Sequence, residues 1–193
     1  MIAGTVLAAG FSKRFGSDKL LQRIGGKTIL ERSLSAIKDL DYRAVVLRPD
    51  DPKKSLIPKD FAILVNTHAS EGLSSSVRLA ASWTPRDAEA LLLVLGDQPL
   101  AGLVTPILVK EFQSGEYLGV TAFYGETPVN PTIFSRHILH ELLLLDGDTG
   151  ARKVVLKYLD RFKRVEVDKD VILDCDTQDS LDRLAQALAR HQL

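Results

Sequence analysis

Short, nearly unbroken apolar runs alternate along the chain with segments whose apolar residues recur at helical spacing. The apolar runs predict strands over residues 3–9 (AGTVLAA), 43–49, 61–66, 88–99 and 117–124. Two shorter runs, RVEVD and VILDCD, predict closing strands. Helical spacing predicts helices over 28–40, 74–83, 103–113, 135–145, 150–159 and 177–191. Thr28 followed three residues later by Glu31 is a capping-box pattern, which places a helix start there. Pro106 fits the first turn of its helix, where a missing N–H costs nothing. DDPKKSLIPKD, with two prolines, predicts a polar loop without regular structure.

Strands such as ALLLVL, apolar at every position, suit a sheet buried on both faces. The expected architecture is one three-layer α/β domain over residues 1–193, with a mostly parallel sheet. Ligands of such folds sit beyond the carboxyl ends of the strands. The segments to search are therefore 9–19, 66–76, 96–100, 125–131 and 174–177.

Composition narrows the function classes. Twenty-five basic residues balance 25 acidic ones, which argues against general nucleic-acid or membrane-surface binding. A single cysteine, Cys175, excludes an internal disulfide and a multi-cysteine zinc site. The N-terminus lacks a signal-peptide layout and no apolar run is long enough to cross a bilayer, so the expected location is the cytoplasm. The four histidines assemble no site; His137 and His140 share a helix face, a weak metal signal.

The first loop combines small residues, Ala8, Ala9 and Gly10, with two cations, Arg14 and Lys19. Small residues let backbone approach a ligand, and Gly10 has access to positive φ. Backbone N–H groups there could cradle an anion that the two cations grip. The stretch matches neither a Walker loop nor a dinucleotide fingerprint, and it reads equally as a glycine turn beside solvated cations. Asp97 follows the most apolar strand, where an acidic group needs a partner or a cation. Asp174 and Asp176, two apart in the expected last strand, would share a face. Carboxylates at two strand ends can hold one Mg²⁺ whose shell is completed by phosphates and water. Each aspartate also reads as a turn or helix cap.

LAAGFSKRFGSDKLL, VNTHASEGLSSSVRLA, LGDQP, PVNPTIF, GDTGAR and DCDT occur in that order over most of the chain. Together they resemble the MobA-like nucleotidyltransferase family, in particular its molybdenum cofactor cytidylyltransferase branch. The resemblance implies a Rossmann-like fold of the glycosyltransferase-A type and Mg²⁺-dependent chemistry in which CMP passes from CTP to the terminal phosphate of molybdopterin. Leu7, Ala8, Ala9, Gly10 and Gly96 would contact the nucleotide, with Ser75 and Ser76 beside the nucleoside. The two serines also read as helix N-caps. Arg14 and Lys19 would grip the departing pyrophosphate, and Asp97 with Asp176 would hold the metal. Asn130, Pro131, Asp148 and Arg152 would line the acceptor side; a proline turn and a helix start account equally for those motifs.

Phe15 replaces a common methionine and Cys175 replaces an aliphatic residue and reads as core, while Asp18 stands where the wider nucleotidyltransferases often have proline, as is common in this branch. Ala9 in LAAG and Gln98 in GDQP favour CTP over GTP within the family, and the Ala9 methyl could narrow a base pocket against purines. A guanylyltransferase, a cytidylyltransferase acting on a sugar or polyol phosphate, and a non-catalytic protein that binds nucleotide and delivers cofactor to a molybdoenzyme remain alternatives. A transient contact with a molybdoenzyme or its maturation factor belongs to the same expectation.

Overall fold

The computed structural model describes residues 1–11, 18–148, 150–175 and 178–191. Strands β1 (Ile2–Leu7), β4 (Tyr42–Leu47), β5 (Ala62–Val65), β6 (Ala90–Leu95), β7 (Gly119–Tyr124), β8 (Thr127–Ser135) and β9 (Phe162–Glu166) form one seven-stranded sheet. Its order is β5-β4-β1-β6-β8-β7-β9. Every neighbouring pair is parallel except those involving β8, which runs against both β6 and β7. The mostly parallel α/β expectation therefore holds. A small separate hairpin pairs β2 (Arg23–Ile24) with β3 (Lys27–Thr28).

Alternation along the central strands explains the three layers. Ala90, Leu92 and Val94 of β6 face one apolar cluster and Leu91 and Leu93 the other. The first cluster takes in α1 (Ile29–Ser35), α3 (Thr105–Gln113) and α6 (Gln178–Arg190). The second takes in α2 (Leu73–Trp83), α4 (Leu139–Leu143) and α5 (Arg152–Lys157). Helices thus cover both faces, which is why strands apolar at every position are stable here. Among the described residues no helix is long and apolar enough to cross a membrane.

Several local expectations change. VILDCD is not a strand: Lys169–Ile172 forms a 3-10 turn, and Asp174 is exposed in irregular chain. Its buried residues are Val171 and Cys175, four apart, and its described residues join no strand of the sheet. The argument that Asp174 and Asp176 share a strand face therefore falls, and Asp176 itself lies outside the described residues. PVNP is neither loop nor turn but part of β8. DDPKKSLIPKD holds a 3-10 turn, Pro52–Leu56, capped by the Asp51 side chain on the Lys53 N–H at 3.1 Å.

The hairpin was not expected, although Gly25-Gly26 is its signal: both take positive φ, +57° and +84°, as a two-residue turn of this kind requires. Buried Arg32 of α1 donates two bonds to the Ile24 carbonyl, at 3.1 and 2.7 Å, and so anchors the hairpin.

The capping box is present as read. Thr28 Oγ1 accepts from the Glu31 N–H at 3.1 Å, and Glu31 Oε2 accepts from the Thr28 N–H at 2.7 Å. Replacing Thr28 by Ala should cost about 1 kcal/mol of unfolding free energy, measurable by urea denaturation. The bonds from Thr28 hold the Glu31 carboxyl below its ordinary range near 4.5. Its stabilising contribution is therefore complete above that pH and fades as pH falls through the lower folded value. Glu31→Gln should flatten the acid limb of a stability–pH curve; an unchanged limb would contradict this.

Candidate active site

The carboxyl ends of β1, β4, β5 and β6 lie side by side, and the loops that leave them form the site. Pairing of β1 with β6 continues past the strands, since the Gly96 N–H donates to the Leu7 carbonyl at 2.9 Å. On the other side the Ala8 N–H donates to the Val46 carbonyl at 3.0 Å. Leu7, Ala8 and Ala9 are buried, and Gly10 is exposed. Gly10 does not adopt the left-handed φ open to it, and a Cβ built there meets no described atom within 4 Å. No described neighbour therefore requires glycine at this position. The Ala9 side chain packs in the apolar cluster of α2, so any contact it makes with a ligand comes from its backbone.

Gly96 is required for a different reason. A Cβ there would lie 3.0 Å from the Leu7 carbonyl oxygen and 3.1 Å from the Ala8 Cβ. Only glycine lets the β6 loop lie this close to the β1 loop. The next residue, Asp97, is held from both sides through backbone. Ser33 of α1 donates to the Gly96 carbonyl at 2.9 Å, and the Cys175 N–H donates to the Asp97 carbonyl at 3.1 Å. Buried Cys175 is a core residue, as expected.

Lys19 and Asp97 meet directly. Lys19 Nζ is 2.6 Å from Asp97 Oδ2, with side-chain exposures of 16% and 22%. Two residues 78 positions apart thus form a partly shielded ion pair, worth more than a surface pair of this type. Lys19 opens a 3-10 turn, Lys19–Leu21, capped by the Asp18 carboxylate on the Leu20 N–H at 3.1 Å. Arg14, expected to be the second phosphate cation, lies outside the described residues.

A cleft of about 360 Å³ opens between the β1, β4 and β5 loops, lined by Phe11, Arg48, Asp51, Asn66, Thr67 and Ser70 among others. The Arg48 guanidinium lies 5.0 Å from the Phe11 ring centroid. Asn66 ties the cleft floor together. Its amide donates to Ser75 Oγ and Ser76 Oγ, both at 2.9 Å, and its Oδ1 accepts from the His68 N–H at 2.9 Å. The serines are therefore buried first-turn residues of α2, not its caps; Gly72, at φ +102°, takes the cap position. Ser75 in turn donates to the Gly72 carbonyl at 2.8 Å.

The residues expected on the acceptor side divide. Asn130 and Pro131 form a bulge in β8: Thr121 pairs with Thr132, but the next residue, Ala122, pairs with Val129. Because β8 is reversed and Leu93 pairs with Thr132, this bulge lies level with the carboxyl end of β6. Bulges near ligands re-aim side chains in this way. The Asn130–Pro131 peptide is cis. Asp148 instead caps α2, accepting from the Leu73 N–H at 3.1 Å. A Cβ on Gly72 would collide with its carboxylate. Arg152 begins α5 and is exposed.

The donor set at Asp97 suits a hard cation: a partly exposed carboxylate whose oxygen already carries an ammonium. No group of three or more His, Cys, Asp or Glu side chains gathers among the described residues. Magnesium needs no such cage, because it binds through one or two carboxylates together with substrate phosphates.

Residues 4–162 match the MobA-like NTP transferase domain. The chain belongs to this family. It is 35% identical over 115 residues to a probable molybdenum cofactor guanylyltransferase of Pyrococcus furiosus, covering 58% of this chain and 52% of that protein. The chain thus spans about half the length of that relative. It is also 30% identical over 170 residues to the purine catabolism protein PucB of Bacillus subtilis, covering 80% of each. Among solved structures, Rv0371c of Mycobacterium tuberculosis in complex with manganese superposes with a TM-score of 0.77 at 26% identity, over 96% of this chain and 97% of that one.

Gly96→Ala should push the two loops apart. Its φ is not left-handed, so the cost is one of space, expected at about 1–3 kcal/mol in urea denaturation. Wild-type stability in this variant would show that the loops have room to separate.

Proposed function

We propose that this protein is a nucleotidyltransferase that joins CMP from CTP to the terminal phosphate of molybdopterin and releases pyrophosphate. The observation that carries the reading is the Lys19–Asp97 pair at the mouth of the β1 and β6 loops, within a family of NTP transferases. A cation and a metal-type carboxylate held together at the strand ends are what phosphate chemistry needs there.

In the reaction, an acceptor phosphate oxygen attacks the α-phosphorus, the bond to the bridging oxygen breaks, and pyrophosphate leaves with that electron pair. A phosphate monoester is largely ionised near neutrality, so no strong general base is required. Positioning and charge neutralisation therefore carry the rate. Without nucleotide, Lys19 neutralises Asp97. With nucleotide, Lys19 turns to the β- and γ-phosphates and stabilises the leaving pyrophosphate, a role shared with Arg14. Asp97, with Asp176 as second carboxylate, would hold Mg²⁺, which when bound supplies Lewis-acid neutralisation of phosphate charge. The manganese in the mycobacterial relative supports a divalent ion in this fold. The Leu7–Gly10 backbone and Gly96 flank the nucleotide, with Ser75 and Ser76 behind it through Asn66. The Asn130–Pro131 bulge faces the acceptor, and Asp148 and Arg152 shape that side from a greater remove.

The base rests on sequence: LAAG and GDQP favour CTP. Guanylyl transfer is the second reading, supported by the name of the Pyrococcus relative. The test is incubation with Mg²⁺, labelled CTP or GTP, and molybdopterin with and without molybdenum, followed by mass analysis. A cytosine dinucleotide product supports the first reading and a guanine dinucleotide the second; no product from either removes both. Lys19→Ala and Asp97→Ala should each lower turnover on the order of 10²-fold. Chelation of divalent ions should abolish it, with recovery on adding Mg²⁺.

A further inference from the structure

Lys53 is fully buried, in a proline-flanked loop that reads as solvent-exposed. An ammonium removed from water needs counter-charges. Lys53 finds two: Nζ lies 3.0 Å from Asp51 Oδ1 and bonds to Asp18 Oδ2. Arg48 lies against the same two carboxylates, 3.5 Å from Asp51 and 3.9 Å from Asp18, so two cations face two anions. The Asp51 side chain is fully buried and that of Asp18 is 17% exposed.

Asp18 joins this cluster to the site. One oxygen takes Lys53, and the other caps the turn that Lys19 opens. Lys19 then reaches Asp97. Loops after β4, β1 and β6 are thereby linked end to end by charge.

We propose that Lys53 is a positioning residue for nucleotide binding: acting through Asp18, it fixes where the Lys19 ammonium stands relative to Asp97. This rests on the role given to Lys19 above. The Lys53 charge cannot turn to water, so it holds the Asp18 carboxylate in one place, and the cap on Leu20 N–H transmits that place to Lys19. Asp18→Asn keeps an oxygen for the cap and removes the charge that Lys53 attracts, while Asp51 still pairs with Lys53.

The experiment places Asp18→Asn and Lys53→Met each in the Lys19 protein and in the Lys19→Ala protein. Pyrophosphate release is measured over a range of nucleotide concentration, and labelling of the Lys19 amine by an acylating reagent is followed by mass spectrometry. Each variant should lower kcat/KM by about tenfold or more when Lys19 is present, mainly through a raised KM, and by less than about twofold when it is absent. Lys19 should label faster in both. Equal losses in the two backgrounds would mark a merely structural role and overturn the proposal. If Lys53→Met does not fold, Asp18→Asn decides alone. If the wild type releases no pyrophosphate from CTP, GTP or ATP, the catalytic reading fails, and unchanged Lys19 labelling then overturns the positioning role as well.

Discussion

The close approach of the β1 and β6 loops is the constraint on which the site depends. Parallel pairing of these strands brings together segments almost ninety positions apart, from Ile2 against Ala90 to Leu7 against Leu95. The Gly96 bond to Leu7 carries that pairing one step beyond the sheet, and the missing side chain at Gly96 makes it sterically possible. Everything chemical follows from this proximity. Asp97 follows that bond directly, and Ser33 of α1 and Cys175, which lie on the same side of the sheet, secure the backbone around it. Lys19 comes back over the same point and meets it.

The ligand-free molecule balances its own charges. Asp97 is satisfied by Lys19, and the cluster around Lys53 is neutral within itself. Neither arrangement leaves a bare partly buried charge, which would cost several kcal/mol. A polyanion with its counter-cation offers each of the two groups a replacement partner, the anion for Lys19 and the cation for Asp97. Binding then costs little electrostatic reorganisation, provided the surrounding framework stays in place.

The chain revealed most of its sheet and helices because those depend on local pattern; β8 was missed because its prolines, Pro128 and Pro131, read as a turn. β6 is legible because every position is apolar, and α1 because Thr28 and Glu31 announce its first turn. Lys19 and Asp97 could be nominated from residue type and place after a strand, yet nothing local pairs them. VILDCD misled because apolar content alone does not set a period; its two buried anchors, Val171 and Cys175, are four apart. Lys53 was illegible for the opposite reason. A lysine among prolines reads as solvated, and its burial is set by Asp18, which is 35 positions away. Asp148 and Ser33 similarly take their roles from long-range bonds to the start of α2 and to the β6 loop.

The reversed strand β8 joins the two halves of the sheet, pairing with β6 on one side and β7 on the other. It delivers the Asn130–Pro131 bulge to the same edge as β6 while belonging to the half of the chain that supplies neither member of the Lys19–Asp97 pair. Its bulge is held internally, by Thr121 and Thr132 hydroxyls that meet at 2.7 Å and by the Val129 carbonyl between them. These bonds run between β7 and β8 or within β8 and include no member of the first half's charge network. A library confined to Val129 and Asn130, the half-buried positions of β8, would therefore vary the proposed acceptor side and leave the Lys19–Asp97 pair intact.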